Sequence, residues 1–168
     1  MIRNAKAYTL VELAIVVFLI GLMLVLAIPR VQHSVLRDDL KSATLRMVGV
    51  VREMRDMAVR NQKGFRLHFD MESNQYWVEW DPMTIEEREE ARKHASNLPG
   101  DIRVLDVYCR GIGKKEMGEA VIHFTKKGYM EQAVIHLGVN QERAHTIVLS
   151  PFVGTVKTHD TYVELATM

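Results

Sequence analysis

Glu12 is the residue whose chemistry most needs explaining. It is the only charged residue between Tyr8 and Ile28, and the apolar run from Leu13 to Ile28 begins directly after it. Holding an ionised carboxylate at membrane depth costs roughly 2.5–3.5 kcal/mol on insertion scales, so an acid in such a place is by default a functional residue. Other residue types that could do chemistry are present without the spacing that chemistry needs. Gly111-Ile112-Gly113-Lys114-Lys115 superficially resembles a phosphate loop, but Tyr108 stands where the first glycine belongs and a lysine follows Lys114, so the stretch reads as a basic turn. Seven histidines, His33, His68, His94, His123, His136, His145 and His159, show no paired ligand spacing and no accompanying cysteines. They read as strand or surface residues. Cys109, the single cysteine, lies beside Arg110 and would be an activated thiol only if a base converged on it in space; a buried structural cysteine is the default. It supports no internal disulfide. No Gly-x-Ser-x-Gly elbow occurs. No catalytic residue, metal or cofactor is expected, and the chain reads as a non-enzyme.

The element that must position Glu12 is a membrane-length helix. Tyr8 to Ile28 approaches the ~20 residues that a bilayer-spanning helix requires. Arg3 and Lys6 precede it with no acid before Glu12, which sets the amino terminus on the cytoplasmic side and sends the rest outward. An ordinary secretory signal with a cleavage site at Val25-Leu26-Ala27 is a competing reading, as is a plain anchor; both leave Glu12 unexplained. With 168 residues, 48% apolar content and a net charge of +1, the chain has material for an anchor and one domain core. It lacks the basic excess that whole-molecule nucleic-acid binding needs.

Beyond Pro29 the helical pattern continues. Leu36, Leu40, Ala43, Met47, Val50, Met54 and Met57 alternate spacings of four and three and mark one apolar face, with Arg37, Asp38, Lys41, Arg46, Arg52, Arg55, Asp56 and Arg60 opposite. A helix from Thr9 to Asn61 would be ~80 Å long. After Asn61 the period changes to two: Gly64 to Asp70 and Gln75 to Asp81 read as a hairpin. Further strands are expected at Ile102 to Cys109, Glu119 to Thr125, Gln132 to Leu137, Thr146 to Leu149, Thr155 to Lys157 and Thr161 to Leu165. Lys127-Gly128, Gly138-Val139-Asn140 and Pro151 to Gly154 separate them as turns. Between Asp81 and Gly100, Thr84-Ile85-Glu86-Glu87 has the form of a capping box and predicts a short solvated helix, either a charged surface insertion or a docking element. The fold class is α+β, a long N-terminal helix followed by an antiparallel β-sandwich head.

The segment Ala7-Tyr8-Thr9-Leu10-Val11-Glu12 with its apolar continuation resembles the class III signal of type IV pilins and type II secretion pseudopilins. The usual pattern there is Gly-Phe-Thr-Leu-x-Glu, so Ala7 and Tyr8 depart from it while keeping a small residue before an aromatic one. The resemblance implies that prepilin peptidase cuts between Ala7 and Tyr8 and that the new amine of Tyr8 is methylated. It implies too that Glu12 is an assembly residue, pairing with the amine of a neighbouring subunit and so rewarding correct register. Gly21 and Pro29 fall where pilin-like helices have a glycine and a helix-bending proline. Downstream, Arg55 to Gln62, Phe69-Asp70, His123 to Gly128, Arg143 to Leu149 and Gly154-Thr155-Val156 resemble the GspH/FimT group of minor subunits, which carry a β-sandwich on the pilin helix.

These readings divide the chain into a leader (1–7), a transmembrane and filament-core helix (8–29), an amphipathic helix of the head (30–62) and a β-rich periplasmic head (63–168). The resemblance implies a minor pseudopilin of a type II secretion system, single-pass in the bacterial inner membrane, whose partners are prepilin peptidase and the major and minor pseudopilins. A minor pilin of a type IV pilus, including the DNA-uptake kind, is the alternative. Near the carboxyl end only Lys157 and His159 offer positive charge, with Asp160 and Glu164 beside them, so a nucleic-acid partner is not expected. A membrane-anchored binding module or enzyme is a third reading, and it predicts a deep pocket in the head.

Overall fold

The structure, a computed structural model, describes residues 10–151 and 154–164, with the side chains of 24–38 outside the description. The chain divides into two compact units, Met1–Asp38 and Asp39–Met168. Helix α1 is Leu10–Asn61. In the second unit it buries Leu40, Ala43, Thr44, Met47, Val48, Val51, Met54 and Ala58. Val50 and Met57, expected on that face, are only partly buried at its border. Alternating steps of four and three follow a period of 3.5, and a straight helix drifts by ~20° per heptad against that period. From about the third turn onward the buried stripe has therefore moved to Val51 and then Ala58. The helix ends where Gln62 takes a left-handed conformation, φ 53°, and its side-chain amide donates to Val59 O at 2.8 Å.

Among the described residues nine strands follow: β1 Phe65–Asp70, β2 Gln75–Trp80, β3 Ser96–Asn97, β4 Arg103–Cys109, β5 Gly113–Lys115, β6 Glu119–Phe124, β7 Ala133–Asn140, β8 Arg143–Leu149 and β9 Val156–His159. Helix α2, Ile85–Lys93, stands between β2 and β3. One sheet has the order β3-β2-β1-β6 and the other β5-β4-β7-β8-β9, with every pairing antiparallel. Phe65, Leu67 and Phe69 of β1 and Ile122 and Phe124 of β6 join Ile135, Leu137, Ile147 and Leu149 of the second sheet and the α1 stripe in one core. Alternation puts Arg66, His68 and Asp70 on the opposite face of β1.

Four expectations change. Gly113–Lys115 is a paired edge strand, not a turn, because β4 offers it a ladder from Val107 to Cys109. Gly138 to Asn140 continues β7, with a register shift between Gly138 and Asn140, and the reversal comes at the next two residues. Ser96–Asn97 adds a two-residue strand to β2. Residues 161–164 form no strand: Thr146 Oγ1 donates to Thr161 O at 2.7 Å and accepts from Val163 N at 3.0 Å, so a side chain holds them in place of a ladder.

Candidate functional site

Of the residues read as processing and assembly sites, Ala7 and Tyr8 lie outside the described residues. Glu12 sits in the first turn of α1, where a carboxylate is favoured by the helix dipole. Every residue from Leu10 to Met23 is exposed, including Leu13 at 63% and Phe18 at 70%. A helix apolar on all sides belongs in apolar surroundings. Among the described residues no helix is long and apolar enough to cross a membrane. The stretch with described side chains, Leu10 to Met23, is shorter than the ~20 residues a span takes, so it leaves the expected span of 8–28 untested. A Cβ at Gly21 would meet nothing within 4 Å, so no packing within this chain calls for glycine there. Pro29 lies inside α1, with its side chain outside the description.

The head carries two polar clusters, each around a buried histidine, that the sequence did not announce. On β4 and β7, His136 Nδ1 lies 2.7 Å from Asp106 Oδ1, and both residues are buried. Tyr162 stacks on the imidazole with ring centroids 3.9 Å apart and donates its hydroxyl to Asp106 Oδ2 at 2.9 Å. Lys114 approaches the same carboxylate at 3.7 Å. Burial pushes the Tyr162 phenol up, while Glu116 and Tyr162 raise the Lys114 ammonium against a smaller opposing effect of burial. An aspartate orienting a histidine is half of a nucleophilic triad. Here His136 Nε2 faces Val163 O at 3.1 Å, so the chain itself occupies the place a nucleophile would need. The cluster fastens the segment after β9 to the outer face of its sheet. Its only sequence signal was a lone aspartate in Val104-Leu105-Asp106-Val107 and a lone histidine in Ile135-His136-Leu137.

The second cluster lies on the outer face of the other sheet. His68 Nδ1 is 2.5 Å from Glu119 Oε1, and Nε2 is 3.5 Å from Glu79 Oε2, too far for a hydrogen bond, with no other hydrogen-bond partner among the described residues. Trp77 stacks on His68 at 5.0 Å, and the Arg92 guanidinium lies over the Trp77 ring at 5.3 Å. Arg66 joins Asp81 at 2.9 Å, while Arg88 and Arg92 approach Glu79 and Asp70, each at 3.9 Å. These long pairs tether α2 to β1 and β2. Cys109 is buried, its thiol 3.6 Å from Val121 O, and burial pushes its pKa up to about 11, the direction opposite to an activated thiol. Among the described residues no group of three histidine, cysteine, aspartate or glutamate side chains is placed to hold a metal ion.

No family model matches the chain, and no curated protein sequence matches it. Solved structures do. A crystal structure of the minor pseudopilin EpsH from the type II secretion system of Vibrio cholerae aligns with a TM-score of 0.53 at 10% identity, covering 76% of this chain and 98% of that one. A second structure of the same protein aligns with a TM-score of 0.54 at 10% identity, covering 75% and 99%. At that identity the likeness is one of fold, and the fold of this chain is that of a minor pseudopilin.

Proposed function

We propose that the chain is a minor pseudopilin, a structural subunit of the periplasmic pseudopilus of a type II secretion system. The observation that carries the reading is the helix from Leu10 to Met23, exposed on every side and apolar at all but Glu12 and the small residues. Such a surface is stable only in lipid or against other helices, and EpsH, whose fold this chain shares, is a minor pseudopilin of such a secretion system. In this reading prepilin peptidase cuts between Ala7 and Tyr8, the amine of Tyr8 is methylated, and residues 8–29 hold the subunit in the inner membrane with its head in the periplasm. On assembly Glu12 pairs with the amine of a neighbouring major or minor pseudopilin. A carboxylate in that setting without its counter-charge is costly, so the pair selects axial register more than it adds net stability.

Intact mass of the protein extracted from membranes, with and without prepilin peptidase, tests this. The expected product begins at Tyr8 and carries one extra methyl group only when the peptidase is present. A product beginning at Ile28 overturns the reading in favour of an ordinary secreted domain.

A further inference from the structure

Four strands of the second sheet bring one residue each into register on its outer face: Asp106 of β4, His136 of β7, Thr146 of β8 and His159 of β9. The segment 161–164 lies against this row. The oxygen of Val163 can only accept, so His136 Nε2, 3.1 Å away, must carry a hydrogen. At the other end of the ring Nδ1 lies 2.7 Å from Asp106 Oδ1. Tyr162 donates its hydroxyl to Asp106 Oδ2 at 2.9 Å and the Lys114 ammonium stands 3.7 Å from the same oxygen, which favours the ionised carboxylate. An ionised carboxylate also only accepts, so Nδ1 carries a hydrogen too. A neutral imidazole has a single N–H. The fastened segment therefore holds one proton more than a neutral ring beside a carboxylate supplies.

We propose that 161–164 is a proton-dependent strap, fastened while His136 carries a hydrogen on both ring nitrogens and loosened when one of them is lost. The remaining hydrogen then stays with Asp106, because a carboxylate is a stronger acceptor than a carbonyl. The lone pair of Nε2 faces the lone pairs of Val163 O, and a contact that fastened the strap now repels it. Thr146 still donates to Thr161 O and accepts from Val163 N, so the strap is weakened at Val163 while its remaining ties persist.

The titratable groups around the ring are Asp106 on β4, Lys114 on β5 with Glu116 at 2.7 Å behind it, Tyr162 and Glu164 on the strap, and His159 and Asp160 at the end of β9. Burial pushes the Tyr162 phenol up, and Glu116 and Tyr162 raise the Lys114 ammonium, so both keep their protons as the solution turns mildly alkaline. His145 turns to Thr44 of α1 instead, and burial moves its titration to the acid side. Above about pH 6.5 a released imidazole is neutral, and raising the pH favours the state with fewer protons. The strap is therefore held in mild acid and opens as pH rises. The proposal concerns the head alone and stands whichever filament, if any, receives the subunit.

Chymotrypsin cutting after Tyr162 reads the opening, since a protease samples the open population of a segment. The full chain in detergent micelles would be digested at pH 6.5 and pH 9, with loss of residues 163–168 followed by mass. Each rate is divided by that of a free peptide of residues 158–168 at the same pH. The relative rate is expected to rise at least tenfold from the lower to the higher pH, as loss of one charge-assisted hydrogen bond implies. His136→Gln, whose amide does not titrate, should abolish the rise, and His159→Gln should keep it. Nitrogen-15 spectra of the histidine rings should show both His136 nitrogens protonated at pH 6.5. An equal relative rate at the two pH values overturns the proposal, as does a full rise in His136→Gln or its loss in His159→Gln. A single protonated nitrogen on His136 while Tyr162 still contacts the ring also overturns it, and this spectrum needs no variant to fold.

Discussion

Gly138 makes the tightest backbone approach in the head. A Cβ there would lie 2.8 Å from Ala144 Cα and 2.9 Å from Ala144 Cβ, the residue directly opposite on β8. Neither strand can retreat without opening the ladder, so Gly138→Ala should cost ~1–3 kcal/mol, the range for overpacking. A lowered midpoint in urea with an unchanged slope would show it. The same glycine read from sequence as a turn, because a glycine before Val139-Asn140 signals reversal locally and close approach only in three dimensions. Cys109 belongs to the same scale. Its pKa is raised, by burial first and Glu131 second, from an ordinary 9.0 to about 11. A thiol with a raised folded pKa contributes stability that is fully present below 9 and is lost as pH rises through 11. Cys109→Ala should therefore flatten the alkaline fall in stability across that window. Iodoacetamide at pH 8 should label the folded chain far more slowly than the unfolded one.

Among the elements, α2 was legible because its signal is local. Thr84 Oγ1 accepts from Glu87 N at 3.2 Å and Glu87 Oε2 accepts from Thr84 N at 2.7 Å, the reciprocal box that the spacing foretold. Thr84→Ala should remove ~1 kcal/mol from this helix. Because α2 buries nothing, the loss should stay local, with faster amide exchange in its first turn and an unchanged global melt; a lowered melt would mean that α2 supports the core. Strands β3 and β5 were illegible for the opposite reason. Two or three residues carry no period, and only the neighbouring strand makes them strands. The joint between α1 and β8 could not be read either: Thr44 Oγ1 donates to Leu40 O at 2.8 Å and lies 3.1 Å from His145 Nδ1. Burial holds His145 below its ordinary 6.5, with Lys41 adding to this and Asp160 opposing it. A depressed folded pKa gives stability that is present above 6.5 and lost as pH falls through the folded value. The head should weaken on acidification from pH 7 to 5, and His145→Gln should remove part of that slope.

At the scale of the whole molecule the two units ask for different solvents. Among the described residues the core begins at Leu40, and no residue from Leu10 to Met23 is buried. The proposed processing and assembly at Ala7, Tyr8 and Glu12 rest on a motif that is written in neighbouring residues. The clusters around His136 and His68 were not so legible, since the hydrogen bonds His136–Val163, Asp106–Tyr162 and His68–Glu119 join positions 27 to 56 residues apart. If the core is self-sufficient, a chain that starts at Asp39 should fold alone. Asp39 is itself a suitable N-cap residue for the helix that would then begin at Leu40. That chain should be monomeric without detergent and melt in one cooperative step within a few degrees of the full chain, as circular dichroism and sedimentation would show. The full chain should need detergent or lipid to stay dispersed, because a helix apolar on every side has no stable surface in water. A molten, dye-binding head after removal of residues 1–38 would mean that the first unit supplies packing to the second, and the division of labour between apolar stem and self-standing head would fail.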